Sequence, residues 1–351
     1  MTKKIFAISL LLLVMIILSL MPINGSLSGG VKEEEVIEGK RQQEQQFAYA
    51  ANNTNTTTAS SSYSYFSSPL PSTTIFNFAA VGDWGCTDDT TNTIKNIQNK
   101  DPELVLALGD LSYENTGNCW LNETSSINNK LKIAIGNHDY DDDHKKVDAT
   151  LLQTQYKKHF DLSNTYYSFD YYNVHFIAMD SILPYTINSP QYSFVRNDLI
   201  STSQNADIKW IIIYFHHPMY TSASEHSSDL LLRETYHPLF DQYGVDLVLQ
   251  GHNHNYQRSY PITYNDDDNN NNYNKITNIN NDDISSKPTI TSANTNTYNN
   301  PTGEIYVTAG TGGESLYDFK NKADFIATQY KGYGFFNVDI SSDGTKLTGT
   351  F

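Results

Sequence analysis

The amino-acid sequence predicts an α/β protein whose chemistry sits on loops at strand ends. Five short apolar runs, each bounded by turn signals, read as buried strands: Ile75–Val81, Leu104–Leu108, Leu131–Ile135, Trp210–Phe215 and Asp246–Gln250. Polar or helix-forming stretches separate them, which fits a layered α/β arrangement. Each run also ends in a glycine or histidine turn carrying carboxylate, amide or imidazole groups. With 351 residues, 38% hydrophobic and 13% aromatic, the chain can bury a full core as one large domain with tails.

At the amino terminus, Lys3 and Lys4 precede an apolar run, Ile5–Met21, followed by Pro22, Gly25 and Ser26. Residues 1–26 therefore read as a secretory signal peptide or, if uncleaved, a membrane anchor. Nothing amphipathic marks a partner face for a buried helix. Residues 27–74 are rich in Glu, Gln, Asn, Ser and Thr and hold too little apolar surface to offset their ordering entropy, so they read as a disordered tether. Asn52, Asn55 and Asn122 sit in Asn-x-Thr sequons, which adds to a secreted or cell-surface reading.

The domain proper is expected over 75–351. After the first three strand runs, Tyr166–Asp170 and Val174–Asp180 read as a hairpin turning at Tyr171–Asn173. Glu304–Ala309, Gly334–Ile340 and Lys346–Phe351 read as closing strands. Residues 265–300 are Asn/Asp-rich, too long for a compact connection and too polar for a domain, and are expected to form a disordered surface insertion. Cys86 and Cys119 are too few for a disulfide framework. They read either as one bridge in an oxidising compartment or as two unpaired buried thiols. The net charge of −16 argues against a nucleic-acid or anionic-membrane partner, since both require a basic face.

The five strands run in turn into Gly82-Asp83-Trp84-Gly85, Gly109-Asp110-Leu111-Ser112-Tyr113, Gly136-Asn137-His138-Asp139, His216-His217-Pro218 and Gly251-His252-Asn253-His254. Ligands of open α/β sheets bind beyond the carboxyl ends of strands. That crevice would collect two carboxylates, an amide oxygen, a phenol and several imidazoles, oxygen donors suiting hard cations and imidazole suiting transition metals. One ion of ordinary coordination cannot use them all; two ions sharing a carboxylate can. Each piece alone has a bland reading: Gly-Asp as a turn, His-x-His as surface, His216 and His217 as one core and one exposed histidine. Five such units in one chain outweigh it.

In motif order the sequence resembles the calcineurin-like metallophosphoesterases, and among them the purple acid phosphatases: GDWG, GDLSY, GNHD, HHP, then GHNHNYQR ending in Tyr256 and Arg258. The resemblance spans about Ile75 to Phe351. Tyr113 in the GDLSY motif and the GHNHNYQR segment point to the purple subgroup, and the late GTGGESLY stretch is similar to its C-terminal region. The implied fold is two facing β-sheets flanked by helices, a four-layer sandwich. The implied cofactors are Fe(III), held by Asp83, Asp110, Tyr113 and His254, and a divalent Fe, Zn or Mn held by Asp110, Asn137, His216 and His252. His138 would contact the substrate phosphate, and His226 is the counterpart of a second substrate-site histidine. His217 departs from the pattern by directly following the expected ligand; the spacing His-x-Pro favours His216. The implied function is an exported acid phosphatase cleaving small phosphate monoesters by attack of metal-bound hydroxide, with the ions about 3.5–4 Å apart. Phosphodiesterase or pyrophosphatase activity on the same scaffold is the alternative. A non-catalytic surface binding protein is disfavoured because no ligand position is lost.

Overall fold

Alternation within the apolar runs decides the layering. Along β1 (Thr74–Val81), Phe76, Phe78 and Ala80 point to one buried face while Ala79 and Val81 point to another. β2 (Leu104–Leu108) repeats this, with Leu104, Leu106 and Leu108 on one side and Val105 and Ala107 on the other. A strand apolar on both faces needs a cover on each. The computed structural model supplies both covers; it describes residues 74–140, 149–265 and 287–351.

Two mixed sheets form the middle. The first runs β14-β13-β1-β2-β3, with β3 at Leu131–Ala134, β13 at Phe336–Ser341 and β14 at Leu347–Thr350. The second runs β12-β8-β11-β7-β6-β5-β4. Its strands are β4 (Tyr167–Tyr171), β5 (Val174–Ala178), β6 (Trp210–Tyr214), β7 (Leu247–Gln250), β8 (Tyr256–Ser259), β11 (Ile305–Ala309) and β12 (Ile326–Tyr330). β9 (Ile262–Thr263) and β10 (Thr289–Ile290) pair as a small ribbon. β1, β2 and β3 are parallel, as are β5, β6, β7 and β11, so their carboxyl ends open the same way within each sheet.

Between the sheets lies one core, where Phe78 meets the Phe176 ring edge-on at 5.3 Å between centroids. Behind the first sheet, Trp84, Trp120 and Tyr156 pack with helices α1 (Asp88–Lys100), α2 (Asn118–Glu123) and α3 (Ala149–His159). Behind the second, Ile211, Ile213 and Val248 pack against α4 (Pro190–Ser203) and α5 (Leu230–Tyr243). The result is the expected four-layer sandwich. Local chemistry sets the helix ends: Thr87 caps α1, Ser189 with Pro190 starts α4, and α5 runs from the Asp229 cap to Gly244 in the left-handed region.

Several expectations need revision or fall outside the described residues. Residues 1–73 lie outside, and with them the signal or anchor and nearly all of the tether; no helix among the described residues is long and apolar enough to cross a membrane. Of the insertion expected over 265–300, residues 266–286 lie outside. Residues 287–300 do not behave as a detached insertion: Thr289 and Ile290 pair with β9, and Arg258 donates to Tyr298 Oη at 2.8 Å and to the Thr295 carbonyl at 2.6 Å. Composition misses this because an arginine outside the segment supplies the anchor. β8 and β12 also go unread in the sequence. Cys86 and Cys119 are joined as a disulfide that ties the loop after β1 to α2.

Candidate metal centre

The site assembles where the two sheets meet. Gly82 N donates to the Ala309 carbonyl at 2.9 Å, joining the end of β1 to the end of β11. Asp83 N and Trp84 N donate to the Gly109 and Asp110 carbonyls at 3.1 and 3.0 Å. Gly251 N donates to the His216 carbonyl at 2.9 Å. The strand-end loops thus hold one another through backbone. Asp83, Asp110, Tyr113 and His252 all adopt positive φ, at 57°, 51°, 59° and 70°. Such strain in non-glycine residues persists only where surrounding structure imposes it, and it gathers at functional sites. The loops also approach very closely: a Cβ on Gly136 would lie 2.2 Å from Asp110 Oδ1, so only glycine fits there.

Two sets of donor atoms converge, and Asp110 belongs to both. In the first, Tyr113 Oη lies 3.2 Å from Asp83 Oδ1, 3.1 Å from Asp110 Oδ2 and 3.0 Å from His254 Nε2. In the second, His216 Nε2 lies 3.0 Å from Asn137 Oδ1, 3.2 Å from Asp110 Oδ2 and 3.2 Å from His252 Nδ1. The remaining carboxylate oxygens are held by backbone: Asp83 Oδ2 accepts from His252 N and Asp110 Oδ1 from His138 N, each at 2.8 Å.

These residues fit a pair of metal ions. Donor separations of 3.0–3.3 Å match the roughly 3.0 Å edge of an octahedron with bonds of about 2.1 Å. The tautomers fit as well. His216 Nδ1 lies 2.9 Å from the Leu108 carbonyl and His254 Nδ1 lies 2.7 Å from the Ser315 carbonyl. A carbonyl only accepts, so each Nδ1 carries the hydrogen and each Nε2 offers its lone pair inward, the second-sphere arrangement of metal-bound histidines. One phenol proton cannot serve the three acceptors around Tyr113.

The electrostatics agree. Burial alone would raise the Asp110 carboxyl, but His216 and His138 beside it hold it well below the ordinary range. Burial would lower His216, yet Asp110 carries it up to about 9. A field that favours a proton at His216 Nε2 favours a metal cation there too. Burial and the charges of Asp83 and Asp110 push the Tyr113 phenol upward, a preference that a bound cation reverses. Burial together with His216 and His217 keeps His252 neutral, its ligating form.

All seven residues expected as metal ligands (Asp83, Asp110, Tyr113, Asn137, His216, His252 and His254) come together here. His138 lies at the mouth, its side chain 37% exposed, its ring 4.2 Å from that of Tyr113 and its Nε2 4.0 Å from Asp110 Oδ2. His226 joins the site, its ring stacked on His252 at 3.9 Å; burial, then His254, lowers its pKa. Asn253 fixes it, accepting from His226 N and donating to the His226 carbonyl, both at 3.1 Å. His217 packs its ring 4.4 Å from that of His252, and its Nδ1 is engaged by Ser181 Oγ at 2.9 Å.

Two contributors escape sequence reasoning. Asp139 is buried and accepts from Leu111 N at 3.0 Å and Gly136 N at 2.9 Å, pinning the β2 and β3 loops together. Tyr317 stacks on His254 at 4.0 Å. Their only signal was membership of the GNHD and GTGGESLY stretches.

The chain is thus a two-sheet α/β sandwich that carries a metal-type donor set at its strand ends. The chain belongs to the calcineurin-like phosphoesterase family, whose model matches residues 76–256. Among curated relatives it is similar to purple acid phosphatase 21 of Arabidopsis thaliana, 32% identical over 211 residues, covering 56% of this chain and 48% of that one. A phosphoenolpyruvate phosphatase of Allium cepa is 26% identical over 287 residues, 76% of this chain and 55% of its own. The chain spans about half the length of the curated relatives it matches. Among solved structures, purple acid phosphatase PPD1 from yellow lupin (Lupinus luteus) seeds superposes with a TM-score of 0.61 at 22% identity, covering 80% of this chain and 55% of that one. GAP50, the anchor in the inner membrane complex of Plasmodium, gives 0.55 at 17%, covering 79% and 84%. At these identities the structural likeness concerns the fold.

Proposed function

We propose that this protein is an exported acid phosphatase that hydrolyses small phosphate monoesters at a binuclear centre of Fe(III) and a divalent Fe, Zn or Mn. The observation that carries it is Asp110 Oδ2, which faces Tyr113 Oη at 3.1 Å on one side and His216 Nε2 at 3.2 Å on the other, as a bridging carboxylate would. Asp83, Tyr113, His254 and Asp110 would hold the ferric ion; Asp110, Asn137, His216 and His252 would hold the divalent one. When bound, the pair supplies Lewis acidity and a nucleophilic oxygen at working pH.

The chain's own groups do the rest. His138 stands at the open side, free to donate to a phosphoryl oxygen as negative charge builds there. As the P–O bond to the leaving group breaks and the new P–O bond forms in line, the departing alkoxide needs a proton. His226, held by Asn253 against His252, is the donor. The phosphatase names among the curated relatives support this reading. The Cys86–Cys119 disulfide supports an oxidising, extracytoplasmic location.

The test combines metal analysis, a visible spectrum and a substrate panel. Phenolate bound to Fe(III) gives a charge-transfer band, so the isolated protein should be coloured and Tyr113→Phe should lose the band while keeping the second metal. Aryl monoesters should turn over faster than bis-esters. A colourless, iron-free, fully active enzyme would remove the ferric assignment, and preference for bis-esters would replace the monoesterase by a phosphodiesterase.

A further inference from the structure

A second group of metal-type donors lies at the other end of β11. Gly310, just past the end of this strand, packs on Asp83, whereas Glu304 precedes its start, roughly 20 Å away along six residue steps. There His237 of α5 has Nε2 2.9 Å from Glu304 Oε2 and 3.7 Å from Oδ1 of Asp241, one helical turn on. His237 Nδ1 lies 2.8 Å from Tyr220 Oη. One donor atom from each of His237, Asp241 and Glu304 falls within 4.8 Å of the others.

The environment is unusual for two carboxylates. His237 and Glu304 are fully buried. Glu304 Oε1 and Asp241 Oδ1 are buried and find no donor among the described residues except a proton that the two carboxyls would share between them. Tyr306 Oη is likewise buried without a partner among the described residues, its ring 5.5 Å from that of His237. Asp241 Oδ2 is already used, accepting from Tyr264 N at 2.7 Å. Arg233 is nearby but gives its guanidinium to the Met219 carbonyl and stacks over Tyr220 at 4.0 Å. Buried carboxylates are found paired or on metals, because leaving them unpaired is costly.

We propose that His237, Asp241 and Glu304 form a further metal site, taking a divalent transition cation of the Zn(II) or Mn(II) class. One imidazole and two carboxylates suit that class. Separations of 2.9 and 3.7 Å bracket the roughly 3.4 Å edge of a tetrahedron with bonds of about 2.1 Å. With a cation on Nε2, Nδ1–H would donate to Tyr220 Oη at 2.8 Å, which would fix the ring. Protons held by the two carboxyls would also neutralise them; a divalent ion would displace those protons. The site would staple α5 to the start of β11, independently of the strand-end centre.

The test uses the full holoprotein incubated with Zn(II) and dialysed. Wild type should hold one Zn(II) equivalent more than Asp241→Asn or Glu304→Gln, and its melting temperature should rise with Zn(II) where theirs does not. Phosphatase turnover and any visible band should be the same in all three. Because Glu304 is fully buried and its variant can fail to fold, anomalous diffraction at the zinc edge from wild-type crystals decides separately, with a peak expected about 2.1 Å from His237 Nε2. Equal metal content in wild type and variants, or no peak there, overturns the site and leaves the shared proton as the account.

Discussion

Asp139→Ala probes whether the centre depends on how its loops are tied together. Asp139 is 1% exposed and accepts two hydrogen bonds, from Leu111 N in the β2 loop and Gly136 N in the β3 loop. Alanine leaves both buried N–H groups without an acceptor, at about 1–3 kcal/mol each, or about 2–6 kcal/mol together. Part of that is offset, since burial and then the Asp110 charge push the Asp139 carboxyl upward and its removal relieves that cost. The net should fall near the lower half, about 3 kcal/mol, or roughly 6–12 °C in melting temperature for a domain of this size. Activity should fall further than stability. Gly136 packs directly on Asp110 Oδ1, so a slack β3 loop moves Asp110 and Asn137 together, and a shift near 1 Å can cost on the order of 10²-fold in rate. Denaturant titration, metal content and kcat/KM measured on one preparation read all three, and Asp139→Asn, keeping one acceptor oxygen, should fall between. A variant that melts within about 1 °C of wild type, keeps its metals and turns over normally would show that the loops hold themselves.

Other perturbations separate the remaining contributions. His252→Ala should lower kcat on the order of 10²–10³-fold with unchanged circular dichroism; near wild-type activity would defeat the two-metal assignment. His175 bridges Asp170 at 2.6 Å and Asp198 at 2.8 Å; burial lowers its pKa, but the two carboxylates outweigh this and raise it. Its stabilisation is therefore complete below the ordinary histidine range and lost as pH rises through the raised value. The melting-temperature gap between wild type and Asp198→Asn should shrink between pH 5 and pH 9 (about 6.5 being the unperturbed midpoint), and a constant gap would refute the ionic clamp. Replacing both Cys86 and Cys119 by serine opens a closure of 33 residues and should cost about 3–4 kcal/mol by loop entropy, read from the denaturant midpoint without reductant. No change there would mean that the chain ends of that loop are held by packing alone.

The sequence by itself determined the strands that carry the site and the residues that come after them. β1, β2, β3, β6 and β7 are short and apolar on both faces, so each stands out locally, and Asp83, Asp110, Asn137, His216 and His252 come immediately or almost immediately after strand ends. Such signals need only chain neighbours. The tertiary structure was required wherever groups far apart in sequence depend on one another. β8 reads as polar, Tyr256-Gln257-Arg258-Ser259, yet it is paired on both edges, and Gln257 is satisfied by Thr221 and Ser222. The His-x-Pro spacing favours His216 over His217, but the partners that separate them are tertiary: Leu108 offers one a carbonyl and Ser181 the other a hydroxyl. Residues 287–300 look like free insertion until Arg258 reaches them. Cys86 and Cys119 are only two thiols until the fold brings their Cα atoms to 6.2 Å. His237 and Glu304, 67 residues apart, carry no motif at all. The physical reason is common to these cases. Burial along a strand is written in its own alternation, whereas a hydrogen-bond partner, a bridging carboxylate or a buried charge cluster exists only once separate segments converge.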